Sequence, residues 1–147
     1  MKLQIFYDNT PYKLRGWRKV KTLVNEIIKS EEKIPGDISF IITSDDYIRN
    51  LNNQFLNHDY FTDVISFNYS IKNKVAGEIY ISEDTVRRNS IDYNVAFDNE
   101  MLRVMIHGVL HLVGYDDKTD TEKQVMTRLE DTWMNVLQNN HKGSQGN

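Results

Sequence analysis

Residues 98–117, DNEMLRVMIHGVLHLVGYDD, contain a strong helical pattern and the residues that dominate the functional interpretation of the chain. Apolar residues recur with the period of an α-helix from about Asp98 to Val113, namely Met101, Leu102, Met105, Ile106, Val109 and Leu110. His107 and His111 lie four residues apart in this segment, which is about 40° of azimuth on a helix. The pattern therefore predicts a helix that presents two imidazoles from one face, one turn apart.

This spacing is the one with which a helix offers two nitrogens to a single metal ion, although histidine pairs of this kind more often serve packing or lie on a surface. Gly114 stands where a left-handed residue would end the helix and turn the chain back. Asp117, three residues later, can then complete a three-ligand site, and Asp116 is the alternative ligand or a partner for a histidine. Two histidines and one carboxylate leave a coordination position open, which is typical of catalytic rather than structural zinc.

Composition restricts the class of protein. The chain has 147 residues, 39% hydrophobic and 27% charged, which fits one domain with a substantial core. It has no cysteine, which excludes disulfides, cysteine-ligated zinc, iron–sulfur clusters and thiol nucleophiles. No apolar run is long enough to span a membrane, and the start, MKLQIFYDNTPYKLRGW, lacks the apolar segment of a signal peptide, so we expect a cytoplasmic protein.

The rest of the chain predicts strands first and helices later. Strands are expected at Lys2–Tyr7, Ile38–Thr43, Asp63–Tyr69 and Val75–Ser82, the last two as an antiparallel pair, with a chain break at Pro35-Gly36. Further helices are expected at Trp17–Ser30, after Ser44, after Ser82 and at Thr119–Gln138. The predicted fold is a single α+β domain over residues 1–140, with a small mixed sheet packed against several helices and a zincin-like metal-binding helix. Residues 141–147 are predicted to form a disordered polar tail.

Charge is distributed unevenly along a chain of formal net charge −3. Residues 13–29 contain six bases and one acid, whereas residues 92–131 contain nine acids and four bases. The basic segment is either the solvated face of a helix or a surface for phosphates, with Tyr12 and Trp17 available to stack on bases.

The segment HGVLHLVGYDD at 107–117 closely resembles the signature of the YbeY family of bacterial rRNA-maturation endoribonucleases, His-Gly-x-Leu-His-Leu-x-Gly-Tyr-Asp-His. The resemblance extends over roughly residues 51–130 and includes Leu51-Asn52, TDVISF at 62–67, GEIYIS at 77–82, Met126 and Glu130. It implies one Zn²⁺ per chain bound by His107, His111 and Asp117, which would act through the metal. It further implies endonucleolytic cleavage of single-stranded RNA in 16S rRNA 3′-end maturation and ribosome quality control, with ribosomal particles and a ribosome-assembly GTPase as partners.

Three positions depart from the family pattern. Asp117 stands where the family usually has histidine, Leu56 where it has an arginine, and Glu78 where it has aspartate. A carboxylate ligand leaves a formal charge of about +1 on zinc rather than +2, so the sequence predicts a weaker Lewis acid than a three-histidine site. The candidates to replace the missing arginine as phosphate contacts are Arg49, Arg103 and Lys118.

Two alternatives stay open at this point. A zinc peptidase has similar ligand spacing, but such enzymes carry a glutamate base directly after the first histidine, where this chain has Gly108. A non-catalytic ribosome-associated zinc protein would instead use the metal for structure and would close the site with a fourth protein ligand. No residue of the sequence stands out as a general base.

Overall fold

The structure, a computed structural model, describes residues 2–55 and 63–145, with side chains up to residue 139. The sequence features at Leu56 and Thr62 lie outside the described residues. In chain order the elements are β1 (Leu3–Tyr7), α1 (Trp17–Ser30), β2 (Ile34–Thr43), α2 (Asp45–Phe55), β3 (Val64–Asn68), β4 (Lys74–Ser82), α3 (Glu83–Asp92), α4 (Phe97–Leu112) and α5 (Asp120–Gln145).

The four strands form one mixed sheet in the order β1-β2-β4-β3. Strand β2 runs parallel to both β1 and β4, whereas β3 and β4 are antiparallel, as the short connection between them predicts. A small mixed sheet with five helices confirms the predicted α+β class.

Helix α4 is the central helix of the core. Nine of its residues are buried, which include Met101, Val109 and Leu110 at 0% exposure. A Cβ on Gly108 would lie 2.6 Å from Ile79 Cγ2 on β4, and a Cβ on Gly77 would lie 2.7 Å from a methyl carbon of Leu112. The two glycines therefore let helix and sheet approach closely, which fixes the helix that carries both histidines against β4.

The predicted break at Pro35-Gly36 is wrong, because β2 begins at Ile34 and includes both residues. The register with β4 shifts between Pro35 and Ile38, so a bulge absorbs the proline. Gly36 is required there, since a Cβ would lie 2.6 Å from the carbonyl oxygen of Val75.

Helix α5 extends further than the sequence predicts. It begins with the expected capping box, in which Thr119 and Glu122 exchange backbone-to-side-chain hydrogen bonds of 2.9 and 3.1 Å. It continues to Gln145, whereas the sequence pattern predicts an end near Gln138. Adding a residue to an existing helix gains a hydrogen bond at low cost, whereas starting one is costly. Residues 146 and 147 of the predicted tail lie outside the described part of the chain.

Tyr12 and Trp17 are committed to packing and are not free to stack on bases. The Trp17 ring lies edge-on to buried Phe40, with the ring centroids 6.0 Å apart. Tyr12 lies edge-on to Phe97 at 4.9 Å and donates a hydrogen bond of 3.1 Å to Asp98. Both rings are partly buried by these contacts, which disfavours the stacking role considered for them. Among the described residues, no helix is both long enough and apolar enough to cross a lipid bilayer.

Candidate metal centre

The last turns of α4 bring the two histidines together. The Nε2 atoms of His107 and His111 are 3.0 Å apart, and the rings meet edge-on with centroids 4.6 Å apart. Both side chains are about one-fifth exposed, at 20% and 23%, on a helix that is otherwise largely buried. The pair is thus open to a ligand on one side and rigidly supported on the other.

The turn after α4 returns the chain toward the histidines. Gly114 has φ of +114°, and its N–H donates to the carbonyl of His111 while the N–H of Tyr115 donates to that of Leu110. This is the paired hydrogen-bond pattern of a Schellman C-cap, in which glycine takes the left-handed position. The reversal brings Asp117 Oδ2 to 3.1 Å from His107 Nε2 and 3.6 Å from His111 Nε2.

These three donor atoms fit a single tetrahedral metal ion. Zinc bonds of about 2.0–2.1 Å at tetrahedral angles place neighbouring donors about 3.3 Å apart, close to the 3.0, 3.1 and 3.6 Å measured between the donors here. Asp117 completes the group, whereas Asp116 is exposed and does not belong to it. Within residues 2–55 and 63–139 no fourth histidine or carboxylate joins the cluster, and two of its three members, His107 and Asp117, line an open cleft.

Glu130 on α5 sets the orientation of the first histidine. Its carboxylate lies 2.6 Å from His107 Nδ1, so a proton on Nδ1 donates to Glu130 and leaves the Nε2 lone pair directed at the other two donors. The Glu130 side chain is 11% exposed and also accepts a hydrogen bond of 3.2 Å from Arg103, which binds Asp131 at 2.8 Å. Glu130 matched the family pattern in the sequence, and its contact with His107 supplies the reason.

The cleft beside the histidines holds more acidic side chains than the site itself requires. It has a volume of about 510 Å³ and is lined by residues that include Asp63, Glu100, Arg103, His107, Asp117 and Glu130. Burial raises the pKa of Asp63, and the carboxylates of Glu130 and Asp117 add to the rise against the opposing effect of His107. Burial likewise raises the pKa of Glu100, with Asp63 adding to it.

The same carboxylates change the pKa of His107 in the direction opposite to the effect of its burial. Burial alone would lower the pKa of His107, but the hydrogen bond to Glu130 and the charges of Asp117 and Asp63 outweigh that effect and raise it. A site with this many carboxylates attracts cations, and a divalent metal would relieve their mutual repulsion.

The three candidate phosphate contacts have different surroundings. Arg103 lines the cleft, but Glu130 and Asp131 already engage its guanidinium. Lys118 is exposed and directly follows Asp117, and Arg49 is exposed on α2. The sequence interpretation did not single out Glu100, because an acid in the first turn of a helix is ordinary at that position.

The fold and the cluster together define a class: a single α+β domain that carries a two-histidine, one-carboxylate metal site on a buried helix, open to a polar cleft. A family model described as Endoribonuclease YbeY matches residues 7–138. Endoribonuclease YbeY of Flavobacterium psychrophilum is 49% identical over 108 residues, which cover 74% of this chain and 77% of that protein. Endoribonuclease YbeY of Flavobacterium johnsoniae is 39% identical over 86% of this chain and 91% of its own length.

A solved structure agrees with these relatives. The solution structure of TM1509 from Thermotoga maritima superposes with a TM-score of 0.64 at 29% identity and covers 97% of this chain and 93% of its own. The chain belongs to the YbeY family of endoribonucleases, which confirms the resemblance predicted from the sequence.

Proposed function

We propose that this protein is a zinc-dependent endoribonuclease that cleaves single-stranded RNA and acts in 16S rRNA 3′-end maturation and ribosome quality control. The observation that carries the proposal is the triangle of donor atoms from His107, His111 and Asp117, open toward a polar cleft. A structural zinc site would be closed by a fourth protein ligand, and none joins this group among the described residues. Family membership supports RNA as the substrate.

The residues of the site divide the work of hydrolysis. A bound Zn²⁺ supplies Lewis acidity for the phosphodiester and for the attacking water. Glu130 holds His107 in one tautomer, and Asp117 offsets part of the positive charge. Asp63 lies in the same cleft, where burial raises its pKa, and this makes it our candidate general base.

A peptidase role is disfavoured by packing as well as by sequence. The position after the first histidine is Gly108, and a Cβ there would lie 2.6 Å from Ile79. The glutamate that zinc peptidases use at this position has no room beside β4. On the strength of the family resemblance we propose a cytoplasmic location, with ribosomal particles and a ribosome-assembly GTPase as partners. Lys118, Arg103 and Arg49 stay our candidates to replace, as phosphate contacts, the arginine that the family has at position 56.

Metal content tests the site directly. Protein purified without tags or chelators is compared with Asp117→Ala and with the matched control Asp116→Ala by elemental mass spectrometry. We expect about one zinc per chain in the wild type and in the control, and strong loss in Asp117→Ala. Equal zinc in all three would remove Asp117 from the ligand set.

RNA cleavage tests the activity. The zinc-loaded protein is incubated with single-stranded RNA, duplex RNA and casein, and we expect cleavage of the single-stranded RNA alone. Cleavage that persists in a metal-free His111→Ala variant would overturn the zinc mechanism. Binding to ribosomal particles without any cleavage by the wild type would instead support the non-catalytic alternative.

A further inference from the structure

The charge of the cleft raises a problem for an enzyme whose substrate is a polyanion. Carboxylates of Asp63, Glu100, Asp117 and Glu130 line the cleft with His107 and two bases, Lys123 and Arg103, and the Arg103 guanidinium is held by Glu130 and Asp131. With a divalent metal bound, the positive and negative charges of this lining roughly cancel, so the cleft offers a polyanion little net attraction. Cations on a surface outside the cleft would therefore add to the affinity for an RNA chain.

Helix α1 offers such a surface. Its apolar side is buried in the core through Val20, Leu23, Val24, Ile27 and Ile28. At 100° per residue, Arg18, Lys21 and Lys29 fall within about 80° of one another on the opposite side, and all three are exposed. Among the described residues no carboxylate forms an ion pair with any of the three, and Glu26 is the one acid on the helix. This basic face is defined by Arg18, Lys21 and Lys29.

The basic face leads to the metal-ligand loop. Just beyond the end of α1, Glu31 accepts a hydrogen bond of 2.8 Å from the hydroxyl of Tyr115, two residues before Asp117. Lys33 donates from Nζ to the carbonyl of Val113 at 2.6 Å, at the C-terminal end of α4. Lys29, at the C-terminal end of the basic face, is thus two residues from Glu31, whose side chain binds the turn that carries Asp117. From Lys29 to Arg18 the helix extends about 16 Å away from this junction.

We propose that the basic face of α1 is a docking surface for single-stranded RNA, on which phosphates beyond the cleft contact Lys29, Lys21 and Arg18. The inference rests on the proposed function, since it takes RNA as the substrate. The three bases are spread over about 16 Å, so they can contact several phosphates of one strand, and contacts to phosphates add binding without selecting a base sequence. The exposed lysine and arginine side chains supply the charge for this contact. Trp17, in the first turn of α1, packs against Phe40 and adds no stacking platform to the face.

The test is the salt dependence of RNA binding. A triple variant, Arg18→Gln, Lys21→Gln and Lys29→Gln, removes the three charges from the solvent side of α1 without reversing them. The matched control, Lys2→Gln, Lys72→Gln and Lys74→Gln, removes three exposed charges elsewhere. Thermal unfolding and zinc content are measured for both variants, and both are expected to equal the wild type.

We expect the α1 variant to bind a long single-stranded RNA at least tenfold more weakly at about 100 mM salt. The slope of log affinity against log salt should fall by about 2, since each phosphate contact contributes about 0.7. The loss should be much smaller with a short RNA that the cleft alone can cover, and the control should stay within about twofold of the wild type. An unchanged slope in the α1 variant, or an equal loss in the control, would overturn the proposal and assign the face to solvent or to a protein partner.

Binding and cleavage separate this inference from the function on which it rests. If the wild type never cleaves RNA but the α1 variant shows the predicted fall in slope, the endoribonuclease proposal fails and the docking surface stands. If the wild type cleaves RNA and the α1 variant keeps the full salt slope, the docking surface fails and the endoribonuclease proposal stands.

Discussion

The metal cleft and the basic face of α1 are built in opposite ways. The cleft gathers side chains from five separate parts of the chain, from Asp63 to Glu130, and the four acids among them are partly or fully buried. The basic face comes from twelve consecutive residues, Arg18 to Lys29, and its charges are exposed and spaced by the helix alone. Hydrolysis needs donors placed to within a fraction of an ångström, whereas attraction of a polyanion needs only charge density. The two tasks can therefore be altered separately, and the following experiments test that separation.

The largest effect is expected from His111→Ala. Removal of one of two imidazoles leaves too few donors for tight binding, so zinc should be lost and RNA cleavage should fall by on the order of 10³-fold or more. Binding of long RNA should change much less, because the basic face of α1 is intact. Elemental analysis, cleavage and binding are measured together, with His141→Ala as the histidine control. A collapse of RNA binding in parallel with cleavage would break the proposed separation.

Glu130→Gln should produce the next largest effect. The amide retains the shape but loses the charge that fixes the tautomer of His107, which is expected to weaken zinc binding by about 10–100-fold. Competition with a chelator measures the affinity. Asp131→Asn is the control, because Asp131 contacts Arg103 but not His107. Similar losses in both variants would mean that Arg103, rather than the carboxylate–histidine contact, supports the site.

Asp117→His tests whether the charge of the third ligand determines the pH dependence of cleavage. A third neutral ligand raises the formal charge on the metal by one unit, so the pH of half-maximal cleavage should fall and the rate near neutral pH should rise several-fold. The pH–rate profile of the zinc-loaded variant is the measurement. A profile unchanged from the wild type would show that the charge of the third ligand does not limit the activity of this site.

The smallest effect concerns the stability of the metal-free protein. Folding raises the pKa of Asp63, of Glu100 and of His107. At a pH between the pKa of such a group in the unfolded chain and its pKa in the native state, the native state therefore binds more protons than the unfolded chain. The free energy of unfolding should therefore fall as the pH rises, from above about 4 for the two acids and from above about 6.5 for His107.

Urea denaturation of the metal-free protein at several pH values checks this expectation, and Glu100→Gln should flatten the acid part of the curve. A charge on the basic face of α1 is exposed, so Lys21→Gln should leave the curve unchanged and serves as the control. Stability that increases over this range would contradict the assignment of proton-binding carboxylates to the cleft.

Local sequence patterns predicted those parts of the fold that local interactions determine. The stripe of α1, the starts of helices after Ser44 and Ser82, and the turn at Gly114 all depend on residues within one or two turns of one another, and the structure shows them. The break at Pro35-Gly36 was wrong because the local preference for a turn is overruled by pairing with Val75, which is forty residues away in the chain.

The candidate site divides along the same line. His107, His111 and Asp117 are close in sequence, so helix geometry and the turn at Gly114 were enough to predict that they form one cluster. The engagement of Arg103 by Glu130 and Asp131, and the burial of Glu100 beside the histidines, depend on how α4 packs against α5 and α3. No periodicity in the sequence carries that information.

The close approach of Gly108 to Ile79 also limits how this family member can diverge. Any side chain at that position meets the sheet, so a glutamate there would have to displace β4 before it could serve as a base. Single substitutions consequently do not lead from this scaffold to a zinc peptidase, although the two kinds of enzyme share the spacing of their metal ligands. The contact between Gly108 and Ile79 thus holds α4 against the sheet and also restricts descendants of this protein to reactions that need no acid directly after the first histidine.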